Sequence, residues 1–203
     1  METLSMKATL LFYRFLYLTL PLCASMCCPE EDQIFYERFS KETDPVSIIE
    51  NQQATYNVGD TLFVNTSIAF EQDFDGQQFN LLEMNSTQEE RYGYFNLVLY
   101  WQNDFGTSTP INILDENLVT SSGSSEVYDD RIFNTMTIDP NGFNHRIGII
   151  LRETGTYKLG GFINGNNEPL LISYNFDTTD KIFQIYAPLD ASSVDGFYEF
   201  RVE

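Results

Sequence analysis

The feature that most constrains this chain is an alternation of period two. From Thr61 to Phe70, the residues Leu62, Val64, Thr66, Ile68 and Phe70 alternate with Phe63, Asn65, Ser67 and Ala69. Only an extended backbone aims two such sets at opposite faces, so the segment reads as a strand. The same signal recurs at 46–49, 93–101, 131–138, 145–151, 156–163, 169–174, 181–186 and 196–202, which makes about nine candidate strands. Clusters of Gly, Asn, Asp and Ser at 106–108, 121–125, 139–142 and 164–167 supply turn chemistry between them. No long segment after residue 26 keeps a helical apolar period, and no fixed-period repeat is present. Short strands without intervening helices imply an all-β fold, an antiparallel β-sandwich.

A chain of 203 residues holds one domain with a sizeable core, and 42% hydrophobic with 15% aromatic residues is enough apolar surface to offset the entropy of ordering it. Not all of the chain belongs to that domain. Lys7 and Arg14 precede an apolar run from Phe15 to Ala24, the length of a signal-peptide core and too short to span a bilayer. Pro21 would break a core helix there. The organisation expected is therefore a signal peptide at 1–26, a tether at 27–45 and a β-sandwich domain at 46–203. The formal net charge is −19, and a leader carrying Glu2, Lys7 and Arg14 leaves the rest at about −20. Such a field repels phosphate backbones and anionic headgroups, which excludes nucleic acid as a partner class.

All three cysteines, Cys23, Cys27 and Cys28, lie in or just after the leader, so the sandwich is expected to fold without a disulfide. A cysteine at the end of a signal peptide suits the bacterial lipoprotein arrangement, in which acyl chains on the first mature residue anchor it to a membrane. Cys27 follows Ala24-Ser25-Met26 and Cys28 follows Ser25-Met26-Cys27; neither is preceded by the small residue that a lipobox prefers. Cleavage after Ala24 or Ser25, giving a secreted chain with free or paired thiols, is the competing reading. Next comes the acidic run Pro29-Glu30-Glu31-Asp32, and later the segment Tyr56-Asn57-Val58-Gly59-Asp60-Thr61-Leu62. In this order of leader, cysteine pair, acidic run and segment the chain resembles uncharacterised surface lipoproteins of Bacteroidota-type bacteria. The resemblance implies an outer-membrane, cell-surface location, with the acidic run as the surface-export signal.

A local pattern bears on topology. Glu153-Thr154-Gly155-Thr156-Tyr157 resembles the tyrosine corner of immunoglobulin-like domains, where a tyrosine hydrogen-bonds back across a tight turn. That resemblance implies Leu159 in the place of the second core cysteine and Trp101, the single tryptophan, as the buried tryptophan between the sheets. An immunoglobulin-like sandwich is thus the expectation, with a jelly roll as runner-up.

Catalytic chemistry is thin. The single histidine, His145, lies in Asn144-His145-Arg146 at an expected strand start and reads as solvent-facing; no Gly-x-Ser-x-Gly elbow presents a serine to it. One histidine without body cysteines cannot make a usual zinc set. Glycoside hydrolysis needs only two carboxylates, but among 30 acidic residues no pair stands out. Glu71, Asp73 and Asp75 before Gly76 resemble a calcium loop, although the Glu that would close an EF-hand falls one place late at Glu83 and a plain acidic β-turn fits the string better. An exposed strip of Tyr92, Tyr94, Tyr100, Tyr128 or Tyr174 would mark a sugar-binding face. The reading that follows is a non-enzymatic surface lipoprotein whose sandwich is an interaction or structural module with a protein or glycan ligand. Its alternatives are a carbohydrate- or calcium-dependent adhesion module and, third, a glycosidase-like enzyme.

Overall fold

The computed structural model describes residues 36–84, 93–162, 171–178, 180–190 and 196–203, all within the unit Tyr36–Glu203. The leader, Cys27, Cys28, the tether up to residue 35, Tyr92 and the turn at 164–167 lie outside the described residues. Those described form an all-β sandwich. The larger sheet runs β1 (Glu37–Glu42), β16 (Lys181–Ala187), β15 (Ile172–Asp177), β7 (Tyr94–Gln102), β14 (Gly155–Gly160), β17 (Tyr198–Val202), β3 (Thr55–Tyr56). On the other edge of β7 lie β11 (Arg131–Thr135), itself paired with β10 (Ser124–Tyr128), and β8 (Ser108–Pro110). The smaller sheet runs β12 (Thr137–Asp139), β13 (Gly142–Ile150), β4 (Thr61–Ala69), β2 (Ser47–Ile49), with β9 (Leu118–Ser122) also on β13. A hairpin of β5 (Glu71–Phe74) and β6 (Gln77–Asn80) leads into a single helical turn, α1 (Leu81–Met84). Ladders are antiparallel except β1 on β16 and β3 on β17, which are parallel.

Alternation fixes which face is buried. In β4, Leu62, Val64, Thr66 and Ile68 point inward; in β13, Phe143, His145, Ile147 and Ile149 do. They meet Phe95, Leu97 and Leu99 of β7 and Tyr174 and Phe176 of β15, with Phe143 on Phe176 at 4.8 Å between ring centroids. Each such side chain withdrawn from water contributes roughly 1.5–3 kcal/mol. β7 is the hub. Its first half pairs with β11 and β15 and its second half with β8 and β14. Val98 and Tyr100 are covered on the outer face by Phe197 and Phe162, so the strand is buried on both sides from Leu97 to Tyr100.

Three expectations about elements are corrected. Residues 37–42, placed in the tether, form β1, because Phe39 stacks on Phe183 at 5.2 Å while alternate positions stay exposed at the sheet edge. The expected strand at 131–138 is two strands in different sheets, the chain crossing over at buried Met136. The cluster 121–125, read as a turn, is the crossing from β9 to β10, with only Gly123 between them at φ +78°. The two crossovers lie side by side. A Cβ at Gly123 would clash with the Thr135 carbonyl and come within 2.6 Å of His145 Cδ2, so the corner needs both glycine's left-handed backbone and its missing side chain.

Candidate functional site

Two groups of side chains between the sheets have the geometry of a site. The first is polar and internal. His145 is fully buried rather than solvent-facing, because β13 starts at Gly142 and gives His145 the inward parity of Phe143 and Ile147. Its Nε2 lies 2.9 Å from Ser125 Oγ and 3.2 Å from the Ser124 carbonyl, and Ser125 Oγ donates to Asn134 Oδ1 at 2.9 Å. With the serine proton directed to Asn134, Nε2 is the protonated nitrogen and Nδ1 is left without a partner. Burial pushes the imidazole pKa down to about 4, partly opposed by the Ser124 carbonyl. Nearby, Ser47 Oγ bridges Thr66 Oγ1 at 2.5 Å and the Tyr174 hydroxyl at 2.7 Å, tying the two sheets together. A serine whose proton points away from its histidine is not an activated nucleophile. Apart from His145 Nδ1, the cluster pairs the polar groups it buries inside the sandwich.

The second group forms a cleft of about 390 Å³ where the two sheets open at one end. Its floor is apolar: Leu99 from β7 and Ile113, Ile149 and Leu151 from the opposing layer, all buried. Trp101, Asn112, Arg152 and Glu153 form the rim. Tyr157 lies beside it, its hydroxyl donating to the Glu153 carbonyl at 3.0 Å, so the corner that turns the chain into β14 also shapes the cleft wall. Leu159, two residues on, is buried in the core. Arg152 Nε donates to Asn117 Oδ1 at 3.0 Å, which holds the guanidinium over the opening.

Trp101 was expected to be buried between the sheets; it is 42% exposed. It shares the inward parity of Phe95, Leu97 and Leu99, but at its level the sheets have parted. The indole lies against bare backbone at Gly155, where a Cβ would fall 2.9 Å from Nε1 and 3.1 Å from Cδ1. Opposite Trp101 in the ladder is Tyr157, itself stacked on Phe200. The tryptophan is therefore set in place by β7, Gly155 and Tyr157, with part of its surface left to solvent.

Other expected site residues fall elsewhere. Asp73 accepts from the Gly76 N–H at 2.8 Å and from Gln78 Nε2 at 2.7 Å, Glu71 accepts from Asn80 Nδ2 at 2.6 Å, and Asp75 occupies the turn at φ +54°. These carboxylates serve their own hairpin, and among the described residues no three His, Cys, Asp or Glu side chains converge on a point. Nor do the tyrosines form a strip: Tyr100 and Tyr174 are buried, Tyr94 donates to Asp177 at 2.7 Å, and Tyr128 stands exposed at the β10–β11 turn. Sequence reasoning missed Asn112, Asn117 and Arg152. The one signal for them is the irregular stretch 111–114 between β8 and the 3-10 turn Asp115–Asn117, in which apolar Ile111 and Ile113 flank Asn112.

No family model and no curated protein sequence matches the chain. Among solved structures, the reeler domain of human F-spondin is similar over 87% of this chain and 100% of that one, at 9% identity and a TM-score of 0.38. A type II cohesin dyad from the adaptor ScaA scaffoldin of Acetivibrio cellulolyticus is similar over 74% of this chain and 46% of that one, at 10% identity and a TM-score of 0.28. At these scores neither likeness bears on what this chain binds.

Proposed function

We propose that the chain is a non-enzymatic interaction module, exported by the leader at 1–26, anchored through lipid on Cys27 or Cys28 and displayed at a cell surface, with a protein partner docking in the end cleft. The observation that carries the docking site is Trp101, held over Gly155 with its free surface facing an apolar floor. Trp, Tyr and Arg are the residues over-represented where protein partners concentrate their binding energy, and Trp101, Tyr157 and Arg152 meet here. An apolar floor rimmed by Asn112, Arg152 and Glu153 suits a peptide that inserts one aliphatic or aromatic side chain and hydrogen-bonds around it. Glu153 is the one carboxylate on the lining, which does not supply the acid and base pair of a glycosidase.

The test uses the fact that Trp101 is the single tryptophan. Peptides selected from a display library on the full chain should carry an apolar anchor, shift the tryptophan emission on binding, and lose affinity by about tenfold or more with Trp101→Ala, a rough figure for a hot-spot residue. Selected peptides that leave the emission unchanged and bind Trp101→Ala equally well would place the docking surface elsewhere.

A further inference from the structure

The outer face of the larger sheet carries a second groove, which shares no lining residue with the end cleft. Register places Ser173 of β15 opposite Tyr186 of β16, and Tyr186 opposite Glu42 of β1. Tyr174 lies opposite Phe95, which sets Ser173 beside Asn96 of β7. Asn96, Ser173, Tyr186 and Glu42 thus form one row across four strands, about 14 Å long at the usual interstrand spacing. A second row, Tyr94, Asn175, Gln184 and Ser40, runs alongside it. Over the first row lies a cavity of about 390 Å³, walled by Phe162 and Leu171.

The groove is preorganised. Asn175 Oδ1 accepts from Gln184 Nε2 at 2.9 Å and from Ser173 Oγ at 3.2 Å, while its Nδ2 donates to the Ser173 carbonyl at 3.1 Å. That holds Asn175 and Gln184 of the second row, and Ser173 of the first, in place. Asn96 Oδ1, by contrast, is withdrawn from solvent and has no hydrogen-bond partner. Asn96 also lines the cavity, and a turn of its carboxamide toward it would let that acceptor take a donor from a ligand. No lysine or arginine lines the cavity, and Glu42 is its one charged group, so an anionic ligand is disfavoured. A peptide cannot add here as a strand, because β7, β15 and β16 are already paired on both edges. Recognition must come from side-chain amides, hydroxyls and a phenol ring. Sugar rings match that set: their hydroxyls both donate and accept, and their C–H faces pack on aromatic rings.

We propose that this groove binds a neutral oligosaccharide, with Asn96, Ser173 and Glu42 taking ring hydroxyls and Tyr186 supplying the stacking face. The site is independent of the end cleft. The experiment is affinity electrophoresis of the full chain through gels containing neutral polysaccharides (β-glucan, α-glucan, xylan, mannan), with polygalacturonate and heparin as anionic controls. At least one neutral polymer should retard the chain. Asn96→Ala and Tyr186→Ala should each weaken retardation by about tenfold, roughly one lost hydrogen bond or stacking contact. Tyr186→Phe keeps the ring and should retain most of the binding, whereas Trp101→Ala should change nothing. The proposal is overturned by a folded chain that no neutral polymer retards, by stronger retardation in the anionic gels, or by binding that Trp101→Ala abolishes and the groove variants leave intact.

Discussion

His145 is buried among Ser125, Asn134 and Phe95, and its ring resists protonation until about pH 4, against an ordinary value of 6.5. Between those values the unfolded chain binds the proton and the folded one does not. Stability therefore falls as the pH drops through this window, and the loss, complete below about pH 4, amounts to about 3 kcal/mol. Urea midpoints measured at pH 7, 5.5 and 4.5 should decline in the wild type and run flatter in His145→Gln. An unchanged slope in the variant would assign the loss to carboxylates instead. The hydrogen bonds from Arg146 hold the Glu50 carboxyl below the usual carboxylate range. At the cleft, Gly155→Ala should push the indole of Trp101 off its backing and shift its emission while leaving the far-UV spectrum intact. Tyr157→Phe removes one hydrogen bond, to the Glu153 carbonyl, and should cost about 1 kcal/mol in chemical denaturation.

At the scale of elements, β7 and the crossover at Gly123 decide the architecture. Paired along both edges and buried on both faces from Leu97 to Tyr100, β7 is expected to hold the slowest-exchanging amides in hydrogen-exchange measurements. Gly123 is the point at which β9 leaves the smaller sheet and β10 joins the larger. Gly123→Ala would force a left-handed backbone on alanine, a strain of about 1–3 kcal/mol, and would also press a methyl into His145 and Thr135. Thermal unfolding should show a large loss in Tm; a Tm within a degree of wild type would mean that the corner relaxes freely. Strands with strong alternation, such as β4, β13, β16 and β17, were readable from residues alone because apolar side chains repeat on one face. β9 and β10 were not. Their Ser-rich sequence has turn composition, and what makes them strands is the neighbouring ladders of β13 and β11.

For the whole molecule, the anchor is the first matter to test. Intact mass of the protein from its native membrane fraction should show a lipid-sized increment that either Cys27→Ser or Cys28→Ser removes, whereas an unmodified chain starting near Ser25 or Met26 would make it a secreted domain. The sandwich itself offers two candidate surfaces, an apolar cleft where the sheets part and a polar groove on an outer face, and these fit partners of different chemistry.

By itself the sequence determined the all-β class, the parity of most core strands and the turn into Tyr157, since each depends on neighbours within a few residues. It could not tell that Trp101 is exposed, that His145 is buried, or that Asn96, Ser173, Tyr186 and Glu42 share a row. Those facts depend on where one strand ends relative to another and on the register between segments as much as about 140 residues apart in the chain. Alternation specifies which side of a strand a residue takes. What stands opposite that side is decided only when the sheets pair and pack.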